Sequence, residues 1–220
     1  MPTRSGYHAL RHSVAVFPRS DRGRIVVGGS DRAEYLNGQL TNDIVALEGG
    51  AGCYAAYLTP QGRMVADMEI ANLGGWILVD THESVRATLV ERFGSLIFTE
   101  DVEIDDWTEH WDGIAVSGPQ ARPATATAIA ALAAADPDPS LLELPVHACV
   151  RVALGDSALI AMRTDPLGGW GLDLWVEKDE TARLWNALKA AGCGEAESLD
   201  VETVRIENGR PAFPIDMDGD

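Results

Sequence analysis

The sequence predicts an α+β fold, with two packed subdomains, mainly antiparallel sheets and flanking helices. Three observations predict it. The strand-like segments are short and joined by hairpin turns such as Thr59-Pro60-Gln61-Gly62 and Gly155-Asp156. Segments with helical apolar spacing alternate with them, but no regular parallel βαβ repeat appears. Ser117-Gly118-Pro119 opens a second section, so subdomains are expected over 1–116 and 117–220.

The elements follow in order. Arg24-Ile25-Val26-Val27 reads as a short strand, and Ser30-Asp31-Arg32 caps a helix carrying Ala33, Leu36 and Leu40 on one side. Tyr54 to Leu58 and Met64 to Leu73 are strands on either side of a Gly62 turn, and Gly74-Gly75 closes the second. Trp76 to Val79 is another strand. Val85, Leu89, Phe93 and Ile97 then recur at helical spacing after a cap expected at Thr81. Asp101–Ile104 and Ile114–Val116 read as paired strands. The Ala-rich run from Ala121 to Ala135 is a strong helix former, ended by the stiff linker Asp136-Pro137-Asp138-Pro139. Strands near Ala148–Leu154, Leu159–Arg163 and Gly171–Val176 precede a helix from Thr181 to Ala191. That helix turns Leu184, Trp185 and Leu188 inward and stops at Gly192. A final strand is expected after it.

Charge and composition exclude several function classes. The 220 residues carry a formal net charge of −17, and such a surface repels polyphosphate, so direct nucleic-acid binding is not expected. No apolar run approaches the roughly 20 residues that cross a bilayer, so no membrane association is expected. The N-terminal stretch has no apolar segment leading to a small-residue cleavage site, so no signal peptide is expected. Cys53, Cys149 and Cys193 are widely spaced with no CxxC pair, which speaks against a disulfide scaffold and a metal site and for a reduced cytoplasm. Arg4, Arg11, Arg19, Arg22, Arg24 and Arg32 gather near the N-terminus, as a solvated rim or as a small docking patch for an anion. Gly168-Gly169-Trp170-Gly171 lacks the spacing and the strand–helix setting of a phosphate loop.

The most informative segment runs from Val204 to Asp218. It places Glu207, Arg205 and Phe213 around a turn at Gly209. A carboxylate beside an aromatic suits a flat heterocycle that donates hydrogen bonds, such as a pterin: two oxygens accept N–H groups and the ring offers a stacking face. An ordinary turn with a salt-bridged glutamate is the alternative.

Several segments together resemble one family. Tyr35-Leu36-Asn37-Gly38-Gln39-Leu40-Thr41-Asn42-Asp43-Ile44 is similar to the FLxGxxTxDV segment of the glycine-cleavage T-protein and YgfZ superfamily. Tyr54 to Met64 resembles its following strand–turn–strand. Ser117-Gly118-Pro119-Gln120-Ala121 resembles its GPxA turn, Leu167 to Leu174 its GxxGYEL strand, and Arg205-Ile206-Glu207-Asn208-Gly209 its RxExG segment. The resemblance implies a T-protein-like folate-binding fold with tetrahydrofolate, or a one-carbon derivative of it, held between subdomains. It implies Tyr54 against the folate, Glu207 on the pterin amino group and ring N–H, Phe213 near the ring and Asp80 lining the site. A half-buried strand tyrosine, core packing for Phe213 and a helix N-terminal carboxylate for Asp80 stand as alternatives.

Two departures qualify the resemblance. The aminomethyltransferases of the family carry an Asp-Asp pair where this chain reads Ala66-Asp67, and the first of the pair assists methylene transfer. Alternation along the strand points Asp67 to the opposite face from Ala66. The expectation is therefore folate binding without a catalytic residue or a competent aminomethyltransferase reaction. An aminomethyltransferase using Asp67 is the alternative. The turn Thr59-Pro60-Gln61-Gly62-Arg63 and the Gly209-Arg210-Pro211 after Glu207 look more like the YgfZ branch. That resemblance implies an accessory role toward iron–sulfur client proteins and, through them, tRNA modification. The KGCYxGQE segment of that branch is absent, and Cys53 reads as a buried strand cysteine. The chain is thus expected to be a fragment lacking the family's C-terminal barrel, with an exposed apolar face where the barrel would lie.

Overall fold

The computed structural model of the chain describes residues 5–133, 141 and 143–217. In chain order its elements are α1 (Ser5–His12), β1 (Ala15–Pro18), β2 (Arg22–Gly28), α2 (Arg32–Gln39), β3 (Gly52–Leu58), β4 (Met64–Asn72), β5 (Ile77–His82), α3 (Glu83–Ser95), β6 (Glu103–Asp106), β7 (Trp111–Ser117), α4 (Ala121–Ala133), β8 (Cys149–Leu154), β9 (Ser157–Met162), β10 (Gly171–Glu177), α5 (Thr181–Ala190), β11 (Gly194–Glu195) and α6 (Ser198–Glu207). The fold is α+β with two mainly antiparallel sheets, as the hairpin-rich pattern predicts.

The chain forms two compact units, each discontinuous in sequence. The first comprises Met1–Arg19, Asp112–Val146 and Val150–Pro211, and the second Ser20–Trp111, His147–Cys149 and Ala212–Asp220. The expected division at 116/117 lies near the crossing at Asp112, while the first 19 residues group with the later stretch.

The first unit is built on a six-stranded sheet in the order β11-β1-β7-β10-β9-β8. β1 pairs with β7 antiparallel, and its other edge takes β11 in parallel. Leu10, Phe17, Ala115 and Val204 pack one cluster there, which fixes α1 and α6 to the sheet. The second unit holds a five-stranded antiparallel sheet, β3-β4-β5-β2-β6. Its core takes Ile25, Val79, Met68 and Ile70 from the strands and Leu36, Leu89 and Phe93 from the helices. Each such side chain contributes about 1.5–3 kcal/mol by leaving water.

The structure corrects several expectations. The strands near 101–104 and 114–116 do not pair with each other: β6 pairs with β2 in one sheet and β7 with β1 in the other. β5 runs through Thr81 to His82, and the N-cap of α3 is His82, whose Nδ1 accepts the Ser84 amide at 3.2 Å. The segment before Gly209 is helical, not extended, because Glu197 and Asp200 form a reciprocal capping box that starts α6. The N-terminal α1 carries no strong sequence signature. The Asp136–Pro139 linker lies outside the described residues.

Of the N-terminal arginines that are described, Arg11 is exposed, while Arg19, Arg22, Arg24 and Arg32 are held by internal partners. Arg19 is buried and donates to Asp173 at 2.7 Å. Arg24 is buried and donates to the carbonyls of Arg22 and Thr108 at 3.1 and 3.0 Å. Arg32 donates to the Gly29 carbonyl at 2.7 Å. Their forked donors serve to tie strands to loops. Among the described residues no helix is long and apolar enough to cross a membrane.

Candidate functional site

Strand register decides which side chains meet. Tyr54 stands opposite Glu69, Ala56 opposite Asp67 and Tyr57 opposite Ala66. Glu69 in turn stands opposite Asp80, and Asp80 opposite Arg24. Cross-strand partners share a face and neighbours along a strand alternate. Tyr54, Asp67, Glu69, Asp80 and Arg24 therefore project from one face of the five-stranded sheet. Tyr57, Ala66, Met68 and Ile70 project from the other, which is the apolar core.

Asp67 is the centre of the polar face. It is only 7% exposed, and its Oδ2 accepts the Tyr54 hydroxyl at 2.8 Å. Its Oδ1 is buried and has no hydrogen-bond partner among the described residues. Thr81 pins the strand behind it by donating to the Asp67 carbonyl at 2.8 Å. Tyr54 itself is 41% exposed. Burial, and then the hydrogen bond to Asp67, push its hydroxyl well above the ordinary tyrosine range, so it stays a donor. A desolvated carboxylate oxygen with no donor is costly, and a ligand N–H would relieve it.

Asp80 is 1% exposed and sits mid-strand in β5, not at a helix start. Arg22 Nε donates to its Oδ1 at 3.1 Å and Arg22 Nη2 to its carbonyl at 2.8 Å. Glu69, between Tyr54 and Asp80, meets His147 Nδ1 at 2.6 Å. His147 adopts a left-handed backbone at φ 68°. Its carbonyl approaches Gly52 so closely that any side chain there would collide with it.

Glu207 lies in the first unit, as the last residue of α6. Tyr7 of α1 donates its hydroxyl toward both carboxylate oxygens, at 3.1 and 3.0 Å, and Arg11 Nη1 stands 3.8 Å from Oε2. The bond to Glu207 raises the Tyr7 hydroxyl above its ordinary range. Arg205 does not serve Glu207: it pairs with Glu202 at 2.5 Å and donates to the Arg210 carbonyl. Phe213 is buried, in the stretch that groups with the second unit. Of the four residues singled out from sequence, Tyr54 and Asp80 thus share one sheet face with Glu69 between them. Glu207 and Phe213 belong to different units.

Sequence reasoning missed Tyr7, and it weighed Asp67 only as the alternative acid, without its bond to Tyr54. The alternation over Val65–Ile70 already separated Asp67 from Ala66; what it did not reveal was which face is polar. Ala66 is fully buried among apolar side chains. A carboxylate at position 66 would enter the core, so its absence takes nothing from the Tyr54 face. Tyr7 meets a residue 200 positions away, and no local signal announces that. Cys53 is a buried strand cysteine, and burial pushes the thiols of Cys53, Cys149 and Cys193 up to about 11. Among the described residues no group of three or more His, Cys, Asp or Glu side chains is placed to hold a metal ion.

Comparison with known proteins fixes the lineage. The family model described as the GCVT N-terminal domain matches residues 2–220. The chain belongs to this family. Within it, an aminomethyltransferase of Rubrobacter xylanophilus is 28% identical over 212 residues, covering 96% of this chain and 55% of that protein. A putative chloroplastic transferase of Arabidopsis thaliana is 26% identical over 205 residues, covering 93% of this chain and 46% of that protein. The chain spans about half the length of the curated relatives it matches. The crystal structure of the glycine cleavage system aminomethyltransferase T from Bartonella henselae shares its fold, with a TM-score of 0.79 at 17% identity over 94% of this chain and 54% of that one.

Proposed function

We propose that this chain is a tetrahydrofolate-binding domain with an accessory role of the YgfZ type, supporting assembly or repair of iron–sulfur proteins and, through them, tRNA modification. The ligand rests on Asp67: a buried carboxylate oxygen without a donor, beside the half-exposed ring of Tyr54. A reduced pterin brings N–H donors on a flat ring, which matches an acceptor beside a stacking face. In the first unit, Glu207 is an acceptor of the kind the RxExG resemblance implies. The accessory role rests on the Thr59–Arg63 turn and the Gly209–Pro211 segment, which look like the YgfZ branch. Three buried, unbridged cysteines fit a reducing cytoplasm.

A second reading is favoured by the same carboxylate. The Rubrobacter xylanophilus relative is called an aminomethyltransferase, and Asp67 stands on the Tyr54 face, where an anion stabilises a positive charge developing on a transferred methylene group. On that reading Asp67, not position 66, carries the chemistry.

Thermal melting with tetrahydrofolate, followed by an assay with an aminomethyl donor, separates the readings. A native-state ligand at a hundredfold excess over Kd adds about 2.7 kcal/mol of stability, a rise of several degrees in Tm. A raised Tm without turnover is the result expected of the accessory role. Methylene transfer abolished by Asp67→Asn would establish the enzyme instead, and an unmoved Tm would sink both.

A further inference from the structure

We propose that Tyr7 is an affinity-setting residue of the folate site, a built-in competitor for the Glu207 carboxylate. The inference rests on the folate reading above and goes beyond it, since neither the family resemblance nor the sheet face points to α1.

The geometry carries it. One hydroxyl lies 3.1 Å from Oε1 and 3.0 Å from Oε2, so its single hydrogen is shared between the two oxygens. A donor equidistant from both oxygens stands on the open edge of the carboxylate. That edge is where a pterin must place two parallel N–H groups to bond both oxygens at once. The phenol and the pterin cannot occupy it together. Arg11 stands farther off, at 3.8 Å from Oε2, and donates to Asn208 Oδ1 at 3.2 Å. It flanks the carboxylate without closing its edge.

The placement of Tyr7 is built into the chain. Gly6, beside it, lies where any side chain would collide with the Asp200 carboxylate and the Glu195 carbonyl. Only glycine lets α1 settle this close to the start of α6, and that approach brings Tyr7 to the helix's far end. The ring of Tyr7 packs against the Leu10–Val204 cluster, so its hydroxyl can be removed without opening the core. Tetrahydrofolate must therefore replace a neutral donor already in position, and only a ligand with two donors gains a bond by the exchange.

The test is a calorimetric titration of tetrahydrofolate into the wild type, Tyr7→Phe, Tyr7→Met and Glu207→Ala, each first shown by melting to be folded. Removing the competing hydroxyl is expected to tighten binding roughly three- to tenfold in both Tyr7 variants, the range of one ordinary net hydrogen bond. Glu207→Ala is expected to weaken binding at least roughly tenfold. If the Tyr7 variants bind equally or more weakly while Glu207→Ala loses binding, the pterin contact stands and the competitor proposal is overturned. If Glu207→Ala binds like the wild type, Glu207 does not hold the ligand and both fall.

Discussion

The two faces of β4 are one residue apart in sequence and opposite in character. Ala66, Met68 and Ile70 are fully buried in an apolar cluster. Asp67 and Glu69 face Tyr54 and Asp80, where acids are held by hydroxyl, guanidinium and imidazole partners. Because strand alternation has a period of two, a single-residue shift exchanges core for site. The identity of position 66 therefore bears on stability, and the identity of position 67 on ligand chemistry.

Substitutions on each face sharpen this contrast. The largest effect is expected from Ala66→Asp, which drives a carboxylate into the apolar cluster with no partner. It should cost on the order of 3–5 kcal/mol in urea unfolding and bring no aminomethyl transfer. Asp67→Asn should do the reverse. Stability should stay within about 1 kcal/mol, because a desolvated charge is lost along with a hydrogen bond, while tetrahydrofolate affinity falls roughly tenfold by titration. Tyr54→Phe removes the donor to Asp67 and should cost about 1 kcal/mol, read by the same unfolding experiment.

At neutral pH the smallest effect belongs to Cys53, on the apolar face opposite Ile70. Burial raises its thiol from the ordinary 9.0 to about 11. Between those values the unfolded chain has released the proton and the native chain still holds it, so the native state binds more protons and its stability falls as pH rises. The contribution of Cys53 should be intact below pH 9 and lost progressively toward pH 11. Comparing pH-dependent melts of the wild type and Cys53→Ala reads it out.

The α+β class, the hairpins around Gly62 and Gly155 and the helix containing Leu89 and Phe93 were legible because alternation, turn residues and helical spacing are local. The pairing of β6 with β2 and of β7 with β1 was not legible, since partners far apart in sequence are chosen by tertiary packing. α6 was masked by the Gly and Pro residues that follow it, and its capping box at Glu197 and Asp200 is made of acids rather than the usual Ser or Thr start. The site was half legible. Tyr54 and Asp80 could be singled out through the family resemblance, and Ala66 and Asp67 could be assigned to opposite faces by strand alternation. Which face is apolar depends on where α2 and α3 pack, and that is a property of the fold.

The most direct test of the account is a paired titration of tetrahydrofolate into the wild type and Asp67→Asn, each with its urea unfolding curve. The account predicts a roughly tenfold loss of affinity with nearly coincident unfolding curves. Unchanged affinity in Asp67→Asn would contradict it, because the polar face of β4 would then have no part in holding the ligand.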